Sequence, residues 1–248
     1  MDDRLSELPE SLILVILSFL PMTYLVTTTL LSKRWKHLWT TVPSLHLRHP
    51  IDADFDKFQA FVSRALTHWR VPKLLKFTID ISFYLHMSGC IDSCLLFAID
   101  HQVEELHLEA TPSFYSIFES RMYYVPHPRL YSCSSITKLT LASVELSIGE
   151  SVRWNRLNSL TIEDAVSLSE DTMNKIFSGA PVLEALNLHV RESGEDLNIR
   201  SASLKMLKIV MSGLGSESKA ALRVLALNLE TLEISGISYT RCLLEVPS

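Results

Sequence analysis

One six-residue pattern, aliphatic-x-x-Leu-x-aliphatic, returns along most of the chain and leaves few folds open to it. It reads Val42 with Leu45 and Leu47, Leu74 with Phe77 and Ile79, Val103 with Leu106 and Leu108, and Ile136 with Leu139 and Leu141. It continues as Leu157 with Leu160 and Ile162, Leu183 with Leu186 and Leu188, Leu204 with Leu207 and Ile209, and Leu229 with Leu232 and Ile234. The last two positions of each copy are two residues apart, so on a strand they point to the same side. The first position turns in from the preceding corner. A single copy buries too little to be stable, whereas copies stacked in series share one continuous core.

The copies begin between 21 residues apart (Leu183 to Leu204) and 33 apart (Val103 to Ile136). That range overlaps and exceeds the 20 to 29 residues of leucine-rich repeats, which implies irregular ones. Between strands, apolar residues at helical spacing predict outer helices. Phe55, Phe58, Phe61, Val62, Leu66 and Trp69 make one amphipathic face after Asp52 or Asp54. Met173, Ile176 and Phe177 make another, with Ser169 as N-cap, Glu170 and Asp171 in the first turn and Gly179 at the end. Ile91 to Ile99 is the third. The asparagine that closes the turn in regular repeats is missing, so the corners must satisfy their backbone groups differently. The expectation is an irregular leucine-rich-repeat α/β solenoid, a horseshoe, behind an all-α N-terminal segment: an α+β protein of two parts.

In such a solenoid the strand residues flanking the inward leucines face the concave side, the surface repeat proteins use for recognition. Glu105, His107, Lys138, Thr161, Asn187, His189, Lys208 and Glu233 are the candidate substrate-binding set. Glu109, Thr140, Ser159, Glu163, Met206, Thr231 and Ser235 lie on the same side. Their mixed polarity names no substrate class, and each taken singly has the character of a solvated surface position.

The N-terminal segment has more apolar surface than it can bury. Leu12 to Leu20 is apolar at nearly every position, so a helix built from it is greasy around its whole circumference. Pro9 and Pro21 bound it. A second helical segment places Leu25, Val26, Leu30 and Leu31 on its apolar positions and leads to Trp35, Leu38 and Trp39. About forty residues seldom bury enough surface to fold alone, so some of this surface must meet the repeats or another protein.

Several function classes are excluded or disfavoured. A net charge of -5 gives no basic field for a phosphate backbone, so nucleic acid is not an expected partner. The basic stretch Lys33 to Lys36 is interrupted by Trp35 and reads as the polar side of a helix. Four cysteines, Cys90, Cys94, Cys133 and Cys242, lack paired spacing and suit a reducing compartment. The run Leu12 to Leu20 follows acidic Asp2, Asp3, Glu7 and Glu10, and is about half of the ~20 residues a bilayer span needs, so neither signal peptide nor membrane is expected. Cytoplasm and/or nucleus is the expected location. Gly213-Leu214-Gly215 lacks the context of a phosphate loop. Cys90, Cys94 and His101 lack the second ligand pair of a zinc site. His46 and His49 are expected at the surface, at the edge of the first strand. No nucleophile motif is recognisable, so neither catalysis, cofactor nor metal is expected.

Leu8-Pro9, Ile16-Leu17-Ser18-Phe19-Leu20-Pro21, Leu31-Ser32-Lys33-Arg34-Trp35 and Leu38-Trp39 together resemble the F-box of plant F-box/leucine-rich-repeat proteins, from Asp3 to about Val42. Ser178 to Leu188 is similar to a repeat segment of the same family, in which a cysteine commonly stands where this chain has Ala180. Tyr124 to Leu141 resembles another. The resemblance implies an F-box at 1–43 that binds the Skp-type adapter of an SCF-type cullin-RING ubiquitin ligase through Leu8, Pro9, Ile16, Leu17, Leu20, Pro21 and Trp35. It implies a repeat domain at 44–248, of about eight irregular repeats, that binds an unknown protein substrate. The FBD domain that many relatives carry at the C-terminus is expected to be absent. Tyr24 stands where the family usually has an acidic residue. The alternative is an interaction scaffold or shortened regulator that keeps the repeats and works outside a ligase.

Overall fold

The structure is a computed structural model that describes residues 7–31, 34–49, 53–81, 87–111, 123–164, 168–191, 196–212, 221–236 and 241–245. Each of the eight hexads supplies one strand. They are β1 (Ser44–Arg48), β2 (Lys76–Asp80), β3 (Glu105–Glu109), β4 (Lys138–Ala142), β5 (Ser159–Glu163), β6 (Ala185–Arg191), β8 (Met206–Ser212) and β10 (Thr231–Ser235). All run parallel in one eight-stranded sheet whose order follows the chain. The register is uniform: Leu45, Phe77, Leu106, Leu139, Leu160, Leu186, Leu207 and Leu232 form one continuous row, and Leu47 to Ile234 form a second. Both rows are buried as far as β8, and the leading residues from Val42 to Leu204 are fully buried beside them. Fully burying such a side chain is worth about 1.5–3 kcal/mol, so repetition of this unit carries the stability.

The missing asparagine is replaced by backbone. At the residue after each strand the ladder simply runs one rung further. After β1 to β5, His49, Ile81, Ala110, Ser143 and Asp164 each donate their N–H to a carbonyl of the next strand, those of Asp80, Glu109, Ala142, Glu163 and His189, at 2.8 to 3.1 Å. Ser143 and Asp164 reach this geometry in the left-handed region, at φ of 54° and 51°, a conformation that side chains with a Cβ adopt at some cost.

On the buried side lie α4 (Phe55–Thr67), α5 (Ser88–Asp100) and α6 (Glu170–Gly179). The Asp54 side chain, not that of Asp52, accepts from the Lys57 N–H at the start of α4; Asp52 lies outside the described residues. Ser169 caps α6 by accepting from the Thr172 N–H, with Glu170 and Asp171 in the first turn. Gly179 ends α6 as expected, with Ala180 as the cap residue, and a Cβ at Gly179 would press into the backbone of Val152. Its carbonyl accepts from the Trp154 N–H at 2.9 Å. Trp154 is wholly buried and donates its indole N–H to Leu130 O at 2.8 Å, tying this corner to the short 3-10 turn Pro128–Ser132. Tyr124 donates to Asp92 on α5 at 2.6 Å.

Among the described residues, the segments between hexads after α6 are strands that the hexad does not mark. β7 (Leu197–Arg200), β9 (Ala221–Leu225) and β11 (Arg241–Glu245) form a second parallel sheet in the order β11-β9-β7, with β7 beside α6.

The N-terminal residues form α1 (Glu10–Ser18), α2 (Met22–Thr27) and α3 (Trp35–Leu38), with 3-10 turns at Thr28–Leu30 and Trp39–Thr41. Pro9 and Pro21 are the N-cap residues of α1 and α2. Both helices touch β1, and Ile13, Leu17, Met22, Leu25, Trp35, Leu38 and Trp39 join the cluster formed by the strands. Trp39 meets Trp69, just past α4, edge to face at 6.0 Å. The hook therefore closes the first edge of the large sheet.

Candidate functional site: an apolar helical stripe and a polar sheet face

Because α1 is apolar on every side, covering the side that meets β1 leaves another side bare. Ile13 and Leu17 point inward and are fully buried. Leu12, Val15, Ile16 and Phe19, spaced as i, i+3, i+4 and i+7, form one stripe in solvent, with Phe19 78% exposed. Tyr24, Leu30 and Leu31 extend the exposed apolar surface, Leu30 at 86%. Seven large apolar side chains left open between residues 12 and 31 mark an interaction surface.

The expected adapter-binding set divides on this geometry. Pro9 and Ile16 are exposed, and Leu8, Leu20 and Pro21 are partly so. Leu17 and Trp35 lie buried in the core, beneath this surface. Ser32 and Lys33 lie outside the described residues. Leu12, Val15, Phe19, Leu30 and Leu31 are exposed beside Ile16 and stood outside the expected set; spacing does not single them out, because Ile13, Ile16, Leu17 and Leu20 are apolar at the same intervals.

The outward side of the large sheet carries three rows in register. One runs Ser44, Lys76, Glu105, Lys138, Ser159, Ala185, Met206, Thr231. The middle row is His46, Thr78, His107, Thr140, Thr161, Asn187, Lys208, Glu233. The third is Arg48, Asp80, Glu109, Ala142, Glu163, His189, Val210, Ser235. All eight expected substrate-facing residues therefore share one face. Lys76, Thr78, His46, Arg48 and Asp80 belong with them and were missed, although they flank the first two hexads in the same way.

Neighbours on this face satisfy one another. Lys138 Nζ lies 2.6 Å from Glu105 Oε1, and Lys208 Nζ lies 2.8 Å from Glu233 Oε1. The Asn187 amide donates to Thr161 Oγ1 at 3.3 Å, and Arg48 Nε lies 3.2 Å from Asp80 Oδ2. Burial, with Glu109 alongside, raises the Asp80 carboxyl above its usual range despite Arg48. Burial also lowers the His46 imidazole. A depression of about 260 Å³ lies over β2 to β4, lined by Lys76, Thr78, Glu105, Leu106, His107, Lys138 and Thr140.

His49 departs from expectation. It is 4% exposed and set beneath α4, with the Phe55 and Phe58 rings at 6.0 and 4.7 Å. Cys90 and Cys94 are buried free thiols on α5, and His101 bonds to Phe97 O at 2.8 Å through Nδ1. Among the described residues no cluster of three His, Cys, Asp or Glu side chains could hold a metal ion. Gly213-Leu214-Gly215 lies outside them.

Comparison with known proteins matches residues 5–47 to the F-box domain. Residues 91–243 match the family described as "FBD-associated F-box protein At5g56370, LRR repeats". The chain belongs to the F-box/leucine-rich-repeat family. Among its relatives from Arabidopsis thaliana, F-box/LRR-repeat protein 25 is 30% identical over 94% of this chain and 85% of its own length. Putative F-box protein At1g49610 is 34% identical over 88% of this chain and 52% of its own. Putative FBD-associated F-box protein At5g22720 is 32% identical over 84% of this chain and 44% of its own. The chain thus spans about half the length of the last two relatives. No solved structure matches it. F-box proteins generally act as substrate adapters of SCF-type ubiquitin ligases, and the F-box/leucine-rich-repeat family is generally non-enzymatic.

Proposed function

We propose that this chain is a substrate-recognition subunit of an SCF-type cullin-RING ubiquitin ligase. Residues 1–43 engage the Skp-type adapter and residues 44–248 present a protein substrate. The observation that carries the reading is the bare stripe Leu12, Val15, Ile16 and Phe19 on α1, within the stretch that matches the F-box domain. A few residues at the centre of an interface carry most of its binding energy, each contributing about 2 kcal/mol or more.

The repeat stack is read as a solenoid, with the row from His46 to Glu233 on its concave side as the substrate surface. Such a subunit does no chemistry of its own and acts by raising the effective concentration of substrate lysines near activated ubiquitin. Cytoplasm and/or nucleus is the proposed location. Among the described residues no helix is long and apolar enough to cross a membrane.

The test is reconstitution of the full chain with a purified Skp-type adapter. Stoichiometric binding is expected, lost in Ile16→Asp and Phe19→Asp variants whose circular dichroism is unchanged. Failure of the wild-type chain to bind the adapter would overturn the proposal in favour of a repeat scaffold outside a ligase.

A further inference from the structure

The second sheet carries a cleft on its own outer face. Leu197 and Ile199 of β7 and Leu222 and Val224 of β9 are buried, so the residues between and after them turn to the opposite side. Register sets Asn198 beside Arg223, Arg223 beside Leu243, and Arg200 beside Leu225. All five line a depression of about 90 Å³.

Two kinds of group in this cleft are left unsatisfied. Asn198 is 5% exposed, and its Oδ1 is buried with no hydrogen-bond partner among the described residues. A buried acceptor left empty costs stability, and each one calls for a reason. Arg200 and Arg223 are exposed and form no ion pair among the described residues. On the large sheet, by contrast, Arg48, Lys138 and Lys208 each lie against a carboxylate of the neighbouring strand. Asp196, two residues before Asn198, accepts from the Ala221 N–H at 2.9 Å and pairs with neither arginine.

The group that completes this cleft is an anion for the two guanidinium forks with a donor beside it for Asn198. Dianionic phosphate brings acceptors only. The last residue of a polypeptide carries both, a carboxylate and its own backbone N–H, and an apolar side chain on it would lie against Leu225 and Leu243, which are exposed here. The volume is that of about three waters, enough for a carboxylate and its amide and little more. A chain end has one length of backbone to lead out of so small a cleft, whereas an internal residue has two.

We propose that the cleft binds the free C-terminal carboxylate of a partner polypeptide whose last residue is apolar. Arg200 and Arg223 hold the carboxylate, and Asn198 Oδ1 accepts the backbone N–H. The site lies on the second sheet and not on the rows of the large one, so it stands or falls separately from adapter binding by α1.

The test is isothermal titration calorimetry of the full chain with acetyl-Gly-Gly-Ala-Leu, as the free acid and as the C-terminal amide. The free acid should bind with a Kd below about 1 mM, and the amide roughly tenfold or more weakly. Arg200→Met and Arg223→Met should each raise Kd by roughly tenfold. Asn198→Leu should raise Kd without lowering Tm, because leucine leaves no buried polar atom unpaired; loss of the fold could not give that combination. The proposal is overturned if the free acid binds no better than the amide, or if the arginine variants leave Kd unchanged. It is equally overturned if inorganic phosphate, or an amide-capped peptide with an internal aspartate, binds more tightly than the free acid.

Discussion

Ile16 and Leu17 are adjacent in the chain and face opposite ways: Ile16 is 40% exposed on the open stripe of α1, and Leu17 is wholly buried in the core shared with β1. Truncating them should therefore separate binding from folding. Leu17→Ala should cost about 2–5 kcal/mol, and Ile16→Ala should stay within about 0.5 kcal/mol of wild type. Urea unfolding of the two variants reads this directly, and equal losses would contradict the placement of α1.

The first strand depends on the hook. Without residues 1–43, β1 loses α1 and α2 as neighbours, and the side chains that pack on Ile13, Leu17, Leu25 and Trp39 open to water. A chain beginning at Ser44 should aggregate or lose its cooperative thermal transition by circular dichroism. A soluble, sharply melting fragment would show that the repeats do not need this cap.

Gly179 ends α6 where its backbone lies against Val152. In an open helix, alanine for glycine gains up to about 1 kcal/mol. Here a Cβ forces the Val152 backbone aside, an overpacking cost of about 1–3 kcal/mol. Gly179→Ala should therefore lower Tm, whereas Gly89→Ala in α5, where nothing lies within 4 Å of the added carbon, should not. A raised Tm for Gly179→Ala would refute the close approach.

Burial holds the His49 imidazole below its ordinary value of 6.5. The folded state thus resists the proton that the unfolded state accepts. Its stabilising contribution is full above pH 6.5 and is lost as pH falls from there through the lowered folded value. His46, lowered in the same direction, adds to the trend. Thermal melts from pH 8 to pH 5 should show a falling Tm, with a shallower slope in His49→Leu. An unchanged slope would place the titrating groups elsewhere.

The large sheet was readable from the hexad because period two and burial on one side leave a single register, as the unbroken row from Leu45 to Leu232 shows. β7 and β9 were not, because Leu197 with Ile199 and Leu222 with Val224 alternate over too few residues to stand out from a leucine-rich background. In the hook, the surplus of apolar surface was legible, but its direction was not. A helix apolar on all sides carries no mark of which side is covered, and the residues named from the family resemblance fall on both sides: Ile16 is exposed and Leu17 is buried. His49 was misplaced because α4 folds back over the end of β1, a contact with no local signature.

The side chains beneath the α1 stripe and those of β1 share one core. A cargo laid across the rungs would keep a fixed bearing to whatever holds α1, as on an arm and not a leash. Moving it one strand along would shift that bearing by about 4.8 Å. Reach in such a protein is thus counted in strands, and inserting or deleting a repeat would resize the arm without redesigning either hand.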